Sequence, residues 1–472
     1  MNTLSSARVR FAPSPTGHLH IGGLRTALFN WLFARHHRAT YLMRVEDTDL
    51  LRSTREYLAS QLASLQWAGI MPDEPIVYQM SRVEEHLKAA ALLVAKGLAY
   101  PCFCPPRDAD EVVTGLEQGH ASKYAGTCRD KTITEADLGR PHAIRFRFPI
   151  DSEYIEFNDI IRGLIRVKVD QFDDFIIVRR DRSPVYNFCV VVDDIFMEIS
   201  HIIRGEDHIP NTTKQVVLYH ALEAAVPLFA HLPLILGKEG NKLSKRDAAV
   251  SVEEYRNQGY LPEALCNYLV RLGWSHGDQE VFSRDELVTY FSLDQVGKKG
   301  AIFDTKKLEW LNGVYLRKAT STELMDALKA LNPAHITSLT TAWDEEQIGL
   351  LLDCYKARST TLVALYQGIM GLVKEPRNCD MQLVAPWKNE HSKKMLRDFV
   401  ESLHEIHHLE HSQLLSAAQH VVDQYGEKLV HLAQLLRLAI TGTIQSPGVF
   451  DLIVILGKTQ AIKRITALLA AW

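Results

Sequence analysis

Arg8-Val9-Arg10-Phe11-Ala12-Pro13-Ser14-Pro15-Thr16-Gly17-His18-Leu19-His20-Ile21-Gly22-Gly23 decides how this chain begins to fold. Residues 8–12 read as a short strand, and Pro13, Pro15 and Gly17 forbid its continuation. From Gly22 onward Leu24, Leu28, Trp31 and Leu32 recur at helical spacing, and the basic stretch Arg35 to Arg38 ends the segment. Tyr41 to Val45 reads as the next strand. Strand, tight loop, helix, strand is the first half of a doubly wound α/β unit, whose ligands sit at the carboxyl ends of the strands. Glycines in such a loop let backbone approach a phosphate, the helix N-terminus favours an anion, and an imidazole can donate to phosphate oxygens. An ordinary strand-to-helix turn uses similar residues, so the reading needs a partner segment.

That partner is Lys242-Leu243-Ser244-Lys245-Arg246. Ile199 to Arg204 and Leu232 to Leu236 read as strands with a helical stretch, Thr212 to Leu222, between them, and the basic loop follows the second strand. Three cations within five residues suit a phosphate chain, although a basic loop by itself is usually solvated surface. Two segments from opposite halves of one sheet can meet around a triphosphate.

A chain of 472 residues is long enough for two to four compact units. With 46% hydrophobic and 23% charged residues it has the balance of a soluble globular protein. Its apolar runs fall far short of a membrane span, and its first residues lack a signal pattern, so we expect no membrane association and a cytoplasmic location. The net charge of −4 does not mark a DNA-binding protein, and any RNA contact must use local patches. Of seven cysteines, Cys189, Cys266, Cys354 and Cys379 are scattered singly and read as small buried hydrophobes, whereas Cys102, Cys104 and Cys128 are grouped. Beyond residue 320 the pattern is helical nearly throughout, with Leu414, Leu415, Ala418, Val421, Val422 and Tyr425 on one face. His404, His407, His408 and His411 include i, i+4 pairs, and among Glu405, Glu410 and Ser412 they read as a solvated face rather than a metal site.

The pair of segments resembles the HIGH and KMSKS signatures of class I aminoacyl-tRNA synthetases. The wording around Arg10–Gly17, Arg44–Asp49, Tyr186–Asp194 and Arg204–His208 resembles the bacterial-type glutamyl-tRNA synthetase family over nearly the whole chain. Gly23 departs from the motif, which ends in histidine elsewhere in the class, and leaves His20 as the surviving first histidine. The resemblance implies a Rossmann-type doubly wound parallel sheet in residues 1–97 and 191–250, interrupted by an α+β connective domain at 98–190. A stem-contact helical domain at 251–320 and an all-α anticodon-binding region at 321–472 would follow.

It also implies the chemistry. L-Glutamate is activated by ATP to glutamyl-adenylate, with tRNA required for activation, and the glutamyl group then passes to the 2′-hydroxyl of the terminal adenosine of tRNA(Glu). His20, Lys242 and Lys245 are the candidate catalytic residues, and Gly22, Ser244 and Arg246 join them around ATP and Mg2+. An arginine fork satisfies both carboxylate oxygens of glutamate, whereas glutamine would set donor against donor, which makes Arg10 and Arg204 the candidate readers. By resemblance Arg10 meets the side-chain carboxylate and Glu46 the ammonium, with Ala12, Ser14, Tyr186 and Arg204 completing the pocket. Structural ion pairs are the plainer reading of Glu46 and Arg204 taken singly. Cys102, Cys104 and Cys128 are one ligand short of a closed Zn2+ site. The resemblance offers Tyr124 as the fourth ligand, Asp130 is an alternative, and three reduced thiols are the plain reading.

At the C-terminal end Arg437 to Gly442, Ser446 to Phe450 and Leu456-Gly457 resemble the helical anticodon region of these enzymes. Arg358 offers either an anticodon contact or a surface salt bridge. A monomer is expected. Charging of tRNA(Gln) by the same active site is the nearest rival, and a non-catalytic tRNA-binding paralogue, which should have lost His20 or the lysines, is the more distant one.

Overall fold

The computed structural model describes residues 6–49, 52–105, 124–134, 137, 139–241, 243, 251–373 and 381–472. Lys242, Ser244, Lys245, Arg246 and Cys379 lie outside the described residues. The chain divides into two compact units, one of Met1–Glu254 with Cys266–Asp304 and one of Tyr255–Leu265 with Thr305–Trp472.

The first unit carries strands β1 (Arg8–Phe11), β2 (Thr40–Val45), β3 (Val77–Tyr78), β4 (Ala99–Cys102), β5 (Ala143–Phe146) and β6 (Tyr154–Asp159). They are followed by β7 (Gly163–Lys168), β8 (Ile176–Val178), β9 (His201–Gly205), β10 (Leu228–Leu232), β11 (Ile235–Leu236) and β12 (Ala301–Ile302). Seven strands form one sheet in the order β3-β2-β1-β9-β10-β6-β7, parallel except for the β6–β7 hairpin. Its central strands are buried on both faces, with Val9, Ile202, Ile203 and Phe229 fully enclosed, as a sheet covered by helices demands. The chain leaves β1 for β2 on one side and reaches β9 on the other, so the order reverses between β1 and β9, and a crevice opens at their carboxyl ends.

Helix α1 (Ile21–His37) begins where expected and is buried almost all round, including Leu24, Leu28, Trp31 and Leu32. The strand expected over Leu232 to Leu236 is divided in two. Pro233 lacks the N–H a central ladder requires, so β10 stops at Leu232 and the chain resumes as β11, which pairs with β12 instead. Within the stretch expected as an insertion, β4, β5 and β8 form a separate antiparallel sheet, whereas β6 and β7 join the main one through Phe229 opposite Asp159.

The second unit is helical throughout its described residues, from Thr305–Lys318 to Lys458–Ala471. Leu414, Ala418, Val421 and Val422 are buried in one apolar core with Leu324, Leu351, Leu365, Leu396 and Leu436. Helix starts are capped where the sequence supplies the residues: Thr320 with Glu323, and Asp344 with Gln347, form reciprocal capping boxes. Buried Arg464 donates to the carbonyls of Ile440 and Leu372, near the carboxyl ends of two helices, where a cation is favoured. His404 lies in the last turn of one helix, His407 and His408 lie in the bend after it, and His411 starts the next. The expected i, i+4 histidine pairs therefore do not share a helix face; all four are exposed. No described helix is long and apolar enough to cross a membrane.

Candidate active site

A cavity of about 510 Å3 opens at the carboxyl ends of β1 and β9, lined by Arg10, Ala12, Ser14, His20, Gly22, Glu46, Tyr186 and Arg204 among others. Every described residue expected at the ATP and glutamate sites therefore borders one space. The local chemistry explains how each is held.

His20 is the N-cap of α1, and its Nδ1 accepts from the Gly23 N–H at 3.1 Å. A neutral ring accepting at Nδ1 carries its proton on Nε2, as a phosphate donor needs. A Cβ on Gly22 would come within 3.1 Å of the His20 ring, and one on Gly23 within 2.9 Å of Leu19, so this capping conformation favours both glycines. Ser251 pairs with His20, Val252 N–H donates to Leu19 O, and Leu243 N–H donates to Ile235 O. The described residues flanking the basic loop thus lie at β11 and beside His20.

The two arginines differ in how their charge is met. Arg10 donates from Nε to Asp194 Oδ1 at 3.1 Å, and Arg44 donates from Nη1 to the same oxygen at 2.5 Å and from Nη2 to Glu46 Oε1 at 3.1 Å. All four side chains are buried. Burial alone would raise the Asp194 carboxyl, but Arg10 and Arg44 outweigh it and hold it below the usual range. Glu46 is different: burial raises it above the usual value despite Arg44 and Arg10. Arg204 has no carboxylate within 4.0 Å among the described residues. Its Nη2 donates to Thr212 Oγ1 at 2.6 Å and Gln215 Oε1 at 2.7 Å, its Nε to His231 Nε2 at 3.4 Å, and burial lowers its pKa. Tyr186 OH lies 3.3 Å from His208 Nδ1. Burial and Glu46 push the Tyr186 phenol up to about 12, while burial and Arg204 push His208 down to about 4, so both are neutral near pH 7.

In the first unit a second cluster lies apart from the cavity lining. The sulfurs of Cys102, Cys104 and Cys128 lie within 4.8 Å of one another, Cys104 and Cys128 at 3.6 Å, and Tyr124 OH is 3.6 and 3.8 Å from Cys102 and Cys104. Thiolates at 2.3 Å on a zinc tetrahedron stand about 3.8 Å apart, so the donor set fits that ion. Burial opposes the Cys102 thiolate, but Tyr124 and Arg145, whose Nε donates to Cys102 Sγ at 3.3 Å, hold its pKa below the ordinary thiol value. Asp130 is exposed and pairs with Arg147 at 2.9 Å.

In the second unit Arg437 donates to Ser446 Oγ and Gln434 Oε1, and its pKa is lowered by burial and by the charge of Arg358. Arg358 is exposed and makes no salt bridge among the described residues. Sequence reasoning did not single out Asp159, Asp194, Gln215 or His231. His231 interrupts the apolar run Phe229-Ala230-His231-Leu232, and that interruption was the available signal; Asp159, Asp194 and Gln215 each follow another polar residue and stood out by nothing in the sequence.

Residues 6–310 match the family model for class I tRNA synthetases (E and Q), catalytic domain, and residues 310–469 match the anticodon binding domain. The glutamate–tRNA ligase of Thermodesulfovibrio yellowstonii is 40% identical over 467 residues, covering 98% of this chain and 99% of that protein. That of Pelobacter propionicus is 40% identical, with 98% of each chain covered. The crystal structure of a glutamate tRNA ligase from Elizabethkingia meningosepticum in complex with its amino acid superposes with a TM-score of 0.89 at 30% identity, over 98% of this chain and 99% of that one. A parallel-sheet catalytic half, a helical anticodon half and relatives of matching length leave one conclusion: the chain belongs to the glutamate–tRNA ligases, class I aminoacyl-tRNA synthetases that use ATP to join glutamate to tRNA.

Proposed function

We propose that the cavity at the ends of β1 and β9 binds glutamate and ATP side by side, with Arg10 and Arg204 reading the side-chain carboxylate. The observation that carries this reading is Arg204 itself. A buried guanidinium with neutral partners only is costly until an anion arrives, and Arg204 lines the cavity in that state. Glu46 takes the substrate ammonium, and Ala12, Ser14 and Tyr186 enclose the rest. The substrate's α-carboxylate attacks the α-phosphorus of ATP, and pyrophosphate leaves. No covalent bond to the protein is needed, so His20, Lys242 and Lys245 act by donating to phosphoryl oxygens as charge grows there, with Gly22, Ser244 and Arg246 shaping the phosphate site. Mg2+, when bound, neutralises part of the triphosphate charge and is held mainly by the nucleotide and water.

tRNA(Glu) is the acceptor in this reading, its binding is required for activation, and the glutamyl group passes to the 2′-hydroxyl of the terminal adenosine. Residues 98–190 meet the acceptor end, 251–320 the stem and 321–472 the anticodon. Arg358 and Arg437, two cations close enough to affect each other, suit the phosphates or base edges of an anticodon loop. Zn2+ held by Cys102, Cys104, Cys128 and Tyr124 closes the connective region. The protein acts as a cytoplasmic monomer without DNA or membrane partners.

Pyrophosphate exchange in the presence of tRNA tests the pocket. Arg10→Ala and Arg204→Ala should each raise the KM for glutamate about tenfold or more, with the KM for ATP within about threefold. An unchanged glutamate KM in both variants overturns the reading.

A further inference from the structure

His231 and Asp159 do not line the cavity, yet they continue the hydrogen-bond network of Arg204. His231 sits on β10 and is fully buried. Its Nδ1 lies 2.6 Å from Asp159 Oδ2, and the same oxygen accepts the His231 backbone N–H at 2.9 Å. Asp159 Oδ1 accepts the backbone N–H groups of Ile161 at 3.0 Å and Arg162 at 2.8 Å, so this carboxylate is fixed by four donors at the end of β6.

The Arg204 contact gives the order of donors along this chain. An arginine Nε–H can only donate, so His231 Nε2, 3.4 Å from Arg204 Nε, must present its lone pair. The ring proton then sits on Nδ1 and points at Asp159, which can only accept. Thr212 Oγ1, 2.9 Å from His231 Nε2, accepts from Arg204 Nη2, and Gln215 accepts from the same nitrogen. Gln215 is held in turn by Asn187, to which it donates at 3.0 Å. Nε and Nη2 of Arg204 are thereby fixed, whereas Nη1 donates to no described residue.

We propose that Asp159 and His231 are positioning residues for glutamate selection: they hold Arg204 so that its remaining donor edge meets the substrate's side-chain carboxylate. This rests on the reading of Arg204 given above. Burial and the neighbouring Arg204 charge favour a neutral His231, which the role requires. An imidazolium there would set N–H against N–H and cation against cation. The pair also ties the carboxyl end of β6 to β10, the neighbour of the strand β9 that carries Arg204.

The test uses the full-length enzyme in tRNA-dependent pyrophosphate exchange, with thermal unfolding confirming that each variant folds. Asp159→Asn and His231→Gln should raise the KM for glutamate about tenfold, with kcat and the KM for ATP within about threefold. In an Arg204→Ala background the same two substitutions should add less than about twofold, because the group they position is gone. If Arg204→Ala raises the glutamate KM but neither Asp159→Asn nor His231→Gln does, the proposal is overturned and the reading of Arg204 stands. Fully additive effects in the double variants overturn it equally. If Arg204→Ala itself leaves the glutamate KM unchanged, the underlying reading fails first. Unaltered protein gives a second measurement that does not depend on folding of variants: 15N shifts of labelled histidines should show His231 as the neutral Nδ1–H tautomer near pH 7. An Nε2–H tautomer or an imidazolium contradicts the proposal.

Discussion

Asp194 accepts from Arg10 Nε at 3.1 Å while both side chains are buried, and the same oxygen accepts from Arg44. One carboxylate therefore orients the arginine that lines the cavity and balances a second, fully buried arginine. Removing its charge leaves two buried cations, with Glu46 paired to Arg44 and Asp193 acting on Arg44 through its charge. Asp194→Asn should lower stability by about 3–5 kcal/mol. Urea unfolding measures this, and a midpoint equal to that of the unaltered protein would show that the cluster is not the anchor described.

Glu46 gives a pH dependence. Its carboxyl is raised by burial, so it takes up a proton at a higher pH than an exposed glutamate does. Only the anion attracts the substrate ammonium. As pH falls, kcat/KM for glutamate should therefore decline at a higher pH than the substrate's own side chain titrates, and Glu46→Gln should remove that limb. His208, held near 4, stays neutral over this range and does not contribute. A profile that Glu46→Gln leaves unchanged in shape argues against the ammonium role.

The sulfur cluster should carry metal. Freshly purified protein is expected to contain about one zinc per chain, and Cys104→Ser to contain little. Chelation should lower the thermal midpoint of the first unit. Elemental analysis finding no metal in the unaltered protein returns Cys102, Cys104 and Cys128 to three reduced thiols.

Much of this was legible from short-range patterns. Pro13, Pro15 and the spacing of Leu24, Leu28 and Leu32 specify the strand, loop and helix, and the grouping of three cysteines was visible before any distance was known. What could not be read depends on non-local pairing. Phe229 opposite Asp159 brings β6 and β7 into the main sheet across about seventy residues of chain, and no local periodicity encodes that. The break at Pro233 was readable from the missing N–H, and an apolar run spanning it hid the signal. Arg204 could be picked out by its surroundings in the sequence, whereas its neutral partners Thr212, Gln215 and His231 come together only in three dimensions.

Lys245 lies in the basic loop flanked by Leu243 and Ser251. Its proposed work is confined to phosphoryl charge in the activation step. Lys245→Ala should slow pyrophosphate exchange about 100-fold and leave tRNA affinity within about twofold. Rates equal to those of the unaltered enzyme would remove this loop from the mechanism.

The account stands most directly on the choice between an acid and its amide. Side-by-side pyrophosphate exchange with glutamate and glutamine, in the presence of tRNA(Glu), measures that choice. A kcat/KM for glutamate at least about 100-fold above that for glutamine is expected from two arginines facing a carboxylate. Comparable values, or a preference for glutamine, would contradict it.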